Sequence, residues 1–524
     1  MNVGFLTRQI LGNLKTVEPS KIALKLESDE AWTYEELHRR SNAYGNALCE
    51  MGIAKGDRVG ILLYNCLEYW ALYFACAKIG AIAVRLNFRL ASEEFQYALS
   101  DSGTKVLCFH SSLAEKLDPI RAMVPVERYV SLPFENKPVP QWAEPWDVME
   151  EGDLSEITDV PVELADPVML MYTSGTTGRP KGALWTHANT LWFCAIQIMK
   201  WNLSVETICL TAGPLYHVGG MEDLALPTLL AGGTVIITRS GGFSIERVVE
   251  VVEKEQVTDV LLFPFMIYEM LNAPRLADFK LSCLKRIVSG GDPVIPWAIE
   301  RIHERFPHVG LVQIYGLTEG SPIAASLDPQ DAKRKGHTVG KPMPLTEIKV
   351  VDEQNRPVPT GEAGEICIKN PVVSLGYWQK PGATAATFVD GWCHTGDLGK
   401  IDEDGYLMIA GRKKDMIRSG GENIYPIEIE DVLIRHPAVK DVAVIAIPDP
   451  KYVETVCAVI VPKQRSDIKE ELIVQFCTDH LAGYKKPRRV VFVDEIPRTP
   501  SGKIQKYVLR ERLKSLGTHI GQQT

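Results

Sequence analysis

A chain of 524 residues, 45% hydrophobic and 23% charged, is long enough to bury more than one core. Its net charge of −9 argues against nucleic acid as the main partner, because such binding rests on an electropositive surface. Eleven cysteines lie scattered with no Cys-x-x-Cys pair, which disfavours a disulfide framework or zinc site and points to thiols in a reducing, cytoplasmic setting.

The opening MNVGFLTRQILGNLK interrupts its apolar positions with Arg8, Gln9 and Asn13, which suits an amphipathic helix better than a signal-peptide core. No run of about 18 apolar residues occurs anywhere, so no transmembrane helix is expected. Strand-like runs at Arg58–Leu63, Lys105–Phe109, Thr234–Thr238 and Asp259–Phe263 alternate with helical stretches such as Glu68–Ile79 and Ile245–Lys254. That alternation predicts α/β layers with largely parallel sheets. From about residue 337 to 410 the pattern becomes short strands between turns: Thr346–Val351, Gly364–Ile368 and Tyr406–Ile409. A small β-barrel-like unit is expected there. Gly411–Asp415 is polar and reads as a linker. Beyond it, Pro426–Leu433 opens a helix with proline at its start, Val439–Ile447 and Cys457–Val461 alternate as strands, and Gly517–Thr524 should fray. The expected division is 1–412, with 336–412 as the β-barrel-like part, and 413–524.

Residues 172–182 read YTSGTTGRPKG. The run Pro167–Met171 before them reads as a buried strand, and the run from His187 reads as a helix. A glycine-rich loop between strand and helix lets backbone N–H groups and hydroxyls surround an anion, and Lys181 adds a mobile positive charge. The ligand expected is a polyphosphate. The spacing is not that of a P-loop, since Gly175 and Gly178 stand too close and Pro180 precedes the lysine. On these residues alone an ordinary surface turn remains the alternative.

Four further segments give the loop a context: YGLTE at 315–319, TGD at 395–397, GRKKDMIRSGGENIYPIEIE at 411–430 and PRTPSGK at 497–503. In order and wording the chain resembles the adenylate-forming (AMP-binding) superfamily of acyl-CoA synthetases, firefly-type luciferases and non-ribosomal peptide adenylation domains. The resemblance runs from about Trp32 to Arg510 and is nearest to fatty-acyl and aryl-CoA ligases. It implies a large N-terminal domain of layered αβ subdomains with a β-barrel-like subdomain, and a small mobile α+β C-terminal domain. It also implies a two-step reaction. A carboxylate attacks the α-phosphate of ATP, giving acyl-AMP and pyrophosphate, and CoA then displaces AMP.

The resemblance assigns roles as follows. Thr173, Ser174, Gly175, Thr176, Thr177, Gly178 and Lys181 would hold the β- and γ-phosphates. Glu319 would be the Mg²⁺ ligand, and Thr318 would touch the α-phosphate. Tyr315, Gly316, Gly291, Asp292 and Gln313 would form the adenine side, with the Tyr315 face on the base and Gln313 pairing its amino edge. Asp397 would accept from the ribose hydroxyls, with Arg412 as a second ribose or phosphate contact. Lys503 would bridge the substrate carboxylate and the α-phosphate. Lys414 would be the hinge. Gly420, Gly421 and Glu422 would line the pantetheine path, and Tyr484, Lys486 and Arg488 would bind the CoA nucleotide. His217, Val218, Gly219, Met221 and Gly316 would face the acyl group, with Gly219, Gly220 and Gly316 leaving it space. Outside this context Asp397 reads as a turn residue, Lys503 as a solvated charge, His217 as a structural histidine and 484–489 as a solvated basic face.

Two stretches depart from the family pattern. Asp292 stands where relatives more often carry a small apolar residue, so its carboxylate would reach adenine or the acyl pocket. Glu222 and Asp223 stand where relatives for long chains often carry apolar residues. The bland reading makes them first-turn acids of a helix, and the sharper one a polar or cation-tolerant acyl pocket. Competing functions are a carrier-protein-loading adenylating enzyme, a luciferase-like oxygenase and a non-catalytic nucleotide-binding regulator. The last would require loss of Glu319, Asp397 or Lys503, and all three are present. The partners expected are a carboxylic acid, ATP and CoA, without nucleic acid or an integral membrane segment, and with a homodimer left open.

Overall fold

The computed structural model describes residues 20–517 apart from 158, 174–178, 242, 420–421, 450–451, 464–468 and 499–503. The expected N-terminal helix, the tail after Gly517, and Ser174, Gly175, Thr176, Thr177, Gly178, Gly420, Gly421 and Lys503 lie outside the described residues. Among the described residues the strands assemble into four sheets of nine, eight, five and five strands.

The nine-stranded sheet holds six parallel strands side by side: Gly310–Leu317, Arg286–Ser289, Asp259–Leu261, Ile208–Thr211, Thr234–Ile237 and Ile22–Leu26. In the eight-stranded sheet Pro167–Thr173, Ile82–Arg85, Arg58–Leu62, Val106–His110 and Arg128–Leu132 also run parallel. The α/β expectation is met, and it has a direct use. In such sheets ligands bind in the crevice beyond the carboxyl ends of the strands. Thr173, Arg85, the turn leading to His217, Phe263, Gly291 and Glu319 all stand at or just after such an end.

The helix Leu67–Ile79 lies in the largest core, and every residue in it except Glu68 is buried. A helix apolar all round must be packed on all sides. Its one basic residue, Lys78, is satisfied in place by Ser41 Oγ at 2.6 Å and Asn42 Oδ1 at 2.7 Å. Ile245–Lys254 forms over the expected range, capped by Ser244, whose side chain accepts from the Arg247 N–H.

Three local readings need correction. The strand expected over Asp259–Phe263 ends at Leu261, and Phe263 instead caps the helix Pro264–Asn272. Pro264 holds the preceding residue extended and suits the first helical position. The glycine-rich loop does not pass from strand to helix: it joins two antiparallel strands, Pro167–Thr173 and Lys181–Thr186, before the helix His187–Trp201 begins. Gly411 and Arg412 are not linker but the last residues of the strand Leu407–Arg412, paired with Trp392–Ile401.

That pair belongs to an antiparallel five-stranded sheet with Glu347–Val351 and Gly364–Lys369, close to the β unit expected there. The fourth sheet is built on the long hairpin Val439–Asp449 and Val453–Pro462. It has cores of its own, around Ile417, Ile429, Val444 and Ile473 on one face and Ile445, Val459 and Leu509 on the other. No helix of the described residues is long and apolar enough to cross a membrane.

Candidate active site

The strand pairing closes the base of the glycine-rich loop. Thr173 lies opposite Lys181, and Tyr172 opposite Gly182. The Thr173 hydroxyl donates to Glu319 Oε1 at 2.9 Å. Glu319 reaches this point because it sits in the tight turn between Gly310–Leu317 and Ser321–Leu327. The turn itself is pinned: Trp185 Nε1 donates to the Thr318 carbonyl at 2.9 Å, and the Ser374 N–H donates to the Glu319 carbonyl at 2.8 Å.

A residue not anticipated from sequence completes the cluster. The Tyr377 hydroxyl donates to the same Glu319 Oε1 at 3.1 Å, and the Lys181 ammonium stands 4.8 Å over the Tyr377 ring. Tyr377 arrives through a two-residue strand, Gly376–Tyr377, paired with Leu184 and Ala183. Burial, joined by the Glu319 charge, pushes its phenol far up, so it stays a donor. Two hydroxyls thus hold one oxygen of a buried carboxylate, and no described residue bonds the other. Among the described residues no group of three or more His, Cys, Asp or Glu side chains gathers to hold a metal. One oriented carboxylate at the base of the glycine-rich loop fits the usual way Mg²⁺ is held, by one or two carboxylates plus phosphate oxygens.

The second cluster surrounds Asp397. The strand register sets Asp397 opposite Arg412, and Arg412 Nε lies 2.6 Å from Asp397 Oδ1. The Tyr315 hydroxyl donates to Asp397 Oδ2 at 2.8 Å. Each carboxylate oxygen keeps a further lone pair, so a diol can still bind. Gln313 is half engaged: its Oε1 accepts from the Val294 N–H at 3.2 Å, and its Nε2 has no hydrogen-bond partner among the described residues. Nε2 therefore presents a donor, Oε1 keeps a second lone pair, and the side chain braces the turn after Gly291. Gly291 itself takes φ +93°, a conformation side chains resist. Asp292 is exposed. Burial and the Asp292 charge raise the Tyr268 phenol to about 12, while the Ile295 N–H and the Arg498 charge oppose them. Arg498 is thus near enough to the adenine-side turn for its charge to be felt there.

His217 caps the short helix Val218–Met221, its Nδ1 accepting from the Gly219 N–H at 3.1 Å. Its ring meets Phe263 edge-on at 6.5 Å. Val218 and Met221 are buried. The glycines do not all leave room for a ligand. A Cβ on Gly220 would come within 2.1 Å of the Pro214 carbonyl oxygen, and one on Gly316 within 2.1 Å of the Ser321 carbonyl oxygen. These two are glycine because another stretch of backbone fills that direction. Only Gly219 faces side chains, His217 and Phe263, at 3.3 Å.

Glu222 and Asp223 are not first-turn acids. Glu222 is the C-cap of Val218–Met221, and both residues are buried. Glu222 is paired with Arg85, which also donates to the carbonyl of Leu215 and, at 3.4 Å, to that of His217. Arg85 was the second functional candidate missed. Its signal was present: an arginine at the end of an otherwise apolar strand, Ile82–Arg85.

On the small sheet Glu422 is exposed, and Ser419 lies opposite it. The basic cluster divides. Lys485 is engaged by Glu428 at 2.5 Å, whereas Tyr484, Lys486 and Arg488 are exposed, with the Arg488 guanidinium 4.1 Å over the Tyr452 ring. Lys414 is exposed between two anchored neighbours: Lys413 pairs with Glu365 at 2.9 Å and Asp415 with Arg510 at 2.5 Å.

One oriented carboxylate at the base of a glycine- and hydroxyl-rich loop, with a second carboxylate, Asp397, that keeps lone pairs for a diol, is an arrangement suited to a nucleotide. Comparison with known proteins agrees. Residues 15–378 match the family described as AMP-binding enzyme, and residues 428–503 match the AMP-binding enzyme C-terminal domain. The chain belongs to this family, and within it to the AMP-forming acid–thiol ligases. It is 40% identical over 482 residues to a feruloyl-CoA synthase of Amycolatopsis, covering 92% of this chain and 94% of that one. It is 36% identical over 515 residues to the long-chain-fatty-acid–CoA ligase FadD13 of Mycobacterium tuberculosis, covering 98% of each. Among solved structures, ATP-bound MatB from Rhodopseudomonas palustris superposes with a TM-score of 0.89 at 30% identity, over 98% of this chain and all of that one.

Proposed function

We propose that the protein is an acyl-CoA synthetase that joins a carboxylic acid to CoA through an acyl-AMP intermediate. The observation that carries this reading is the Glu319 carboxylate, held by Thr173 and Tyr377 at the mouth of the glycine-rich loop. In the first step Thr173, Lys181 and the loop hydroxyls hold the β- and γ-phosphates. Mg²⁺, bound by Glu319 and phosphate oxygens, would neutralise charge on the leaving pyrophosphate. Asp397 and Arg412 fix the ribose, and Lys503 offsets the repulsion between carboxylate and α-phosphate. His217 stands where the acid enters. In the second step the small domain turns about Lys414, so that Glu422 and the 420–421 glycines line the path of the thiol, with Tyr484, Lys486 and Arg488 on the CoA nucleotide.

The acid placed first is a fatty acid, supported by the FadD13 relative. A ring-bearing acid is the second reading, favoured by the 40% identity to a feruloyl-CoA synthase. The test is a panel of fatty, aryl and alicyclic acids scored for pyrophosphate and AMP with and without CoA. Formation of ADP and inorganic phosphate would overturn the assignment. Product release that ignores CoA but needs an acyl carrier protein would replace CoA as acceptor.

A further inference from the structure

Asp397 reaches its place on a bulge. Cys367 pairs with His394 and Glu365 with Leu398, so the single residue Ile366 faces three, Thr395, Gly396 and Asp397. Extra residues in one strand leave the ladder and re-aim a side chain, and their N–H groups must find acceptors elsewhere. The Asp397 N–H donates to the Thr395 hydroxyl at 3.0 Å. The Gly396 N–H donates to Glu365 Oε1 at 3.1 Å. The other oxygen of that carboxylate, Oε2, holds the Lys413 ammonium at 2.9 Å, with His394 Nδ1 at 3.4 Å. Lys413 also donates its backbone N–H to the Gly396 carbonyl at 2.9 Å. Glu365 is thus tied to the residue just before Asp397 and to the residue just after Arg412.

The Glu365 side chain is 12% exposed, so this carboxylate is not an ordinary solvated surface acid. Burial works against its charge, but Lys413 and His394 outweigh burial and keep the carboxyl below its usual range. It therefore stays an acceptor for the Gly396 N–H and a counter-charge for Lys413. We propose that Glu365 is a positioning residue for the nucleotide: it fixes the bulge under Asp397 and the strand end under Arg412, so that the Asp397 carboxylate meets the ribose diol. This rests on the assignment of Asp397 to the ribose. The bulge is held by side-chain acceptors rather than by the ladder, and misplacing a positioning group by about 1 Å can cost about 10²-fold in rate.

The test compares ATP with 2′,3′-dideoxy-ATP, which lacks the diol, by pyrophosphate release with an acid that wild type accepts. Wild type should favour ATP by at least about tenfold in kcat/KM. Glu365→Ala should shrink that preference by at least about fivefold. Glu365→Gln keeps an acceptor for the Gly396 N–H and gives up only the ion pair, as does Lys413→Met. Both should keep most of the preference, losing about twofold. A merely structural role would lower kcat/KM for the two nucleotides together and leave their ratio alone. That result in a folded Glu365→Ala overturns the proposal. Should Glu365→Ala not fold, Glu365→Gln and Lys413→Met decide, and a wild-type ratio in both overturns it. Equal use of the two nucleotides by wild type removes the ribose assignment of Asp397, and this proposal with it. No pyrophosphate with any acid removes the ligase reading, on which both depend.

Discussion

Replacing Arg85 by methionine removes a guanidinium from a place where its partner cannot find water. Both side chains of the Arg85–Glu222 pair are 0% exposed. Breaking one member of a buried pair costs about 3–5 kcal/mol, because the other charge stays desolvated. The carbonyls of Leu215 and His217 lose a donor in the same step, which adds to the loss. Arg85→Met/Glu222→Leu removes both charges, leaving mainly those carbonyls unmet. It should therefore be at least about 2 kcal/mol more stable than Arg85→Met alone. Urea unfolding followed by tryptophan fluorescence measures both. The pH dependence has a definite sign. Burial already raises the Glu222 carboxyl, and Arg85 opposes it. Without Arg85 the folded protein holds a proton on Glu222 that the unfolded chain releases, so Arg85→Met should lose stability as pH rises above the ordinary carboxylate range. Because the guanidinium also holds the His217 carbonyl, Arg85→Met should raise the KM for the acid more than that for ATP. If the double variant lost the sum of the two single losses, the pair would not be acting as a unit and this reasoning would fail.

Tyr377→Phe removes one of two hydroxyls that fix Glu319 Oε1; adenylation should fall by about 10- to 100-fold, and Mn²⁺–ATP binding followed by electron paramagnetic resonance should weaken. Normal Mn²⁺ affinity would leave Tyr377 as packing. Asp223 titrates near 8 when folded and near 3.8 when unfolded, so between those values the folded state binds the extra proton and wild-type stability declines with pH. Asp223→Asn lacks this decline and should gain on wild type by about 1.4 kcal/mol per pH unit from pH 5 to 7, read from urea midpoints. Parallel curves would place an ionised carboxylate there. Lys503→Ala should lose acyl-AMP formation by about 10²–10³ or more yet still convert supplied acyl-AMP to thioester. Lys414→Pro should do the reverse, by stiffening the backbone. Equal damage to both half-reactions in each variant would remove the case for rotation.

What the sequence revealed follows the range of the forces involved. Pro426–Leu433 was legible to the residue because a proline start and an amphipathic run are local signals. The same holds for Ile245–Lys254. The motif residues Glu319, Asp397 and Arg412 could be assigned roles by resemblance, but their mutual arrangement could not be read. Asp397 and Arg412 meet because a ladder of antiparallel pairs sets them opposite each other, and register is a long-range outcome. Lys181–Thr186 escaped notice as a strand because it is apolar on both faces and runs straight into a helix, so no change of period marks it. Tyr377 was invisible for another reason: nothing near it in sequence signals Glu319, 58 residues away. The glycines at 220 and 316 were misread because a missing side chain can mean room for a ligand or room for another backbone, and only coordinates tell these apart.

The junction between the third and fourth sheets has a consequence for how fast a two-stage enzyme can work. Arg412 is the last residue of one ladder and Ile417 the first of the next, leaving four residues, 413–416, between them. Arg510 fastens Asp415 to the last helix, and Lys506 of that helix holds Glu430 at 2.7 Å. The small unit is therefore tethered by at most about 14 Å of chain and is pinned by ion pairs right up to the tether. A partner held so closely is present at an effective concentration of the order of millimolar or more. On the rotation proposed above, neither orientation needs a strong interface to be populated, so each can stay weak enough to be left quickly, and the exchange need not limit turnover.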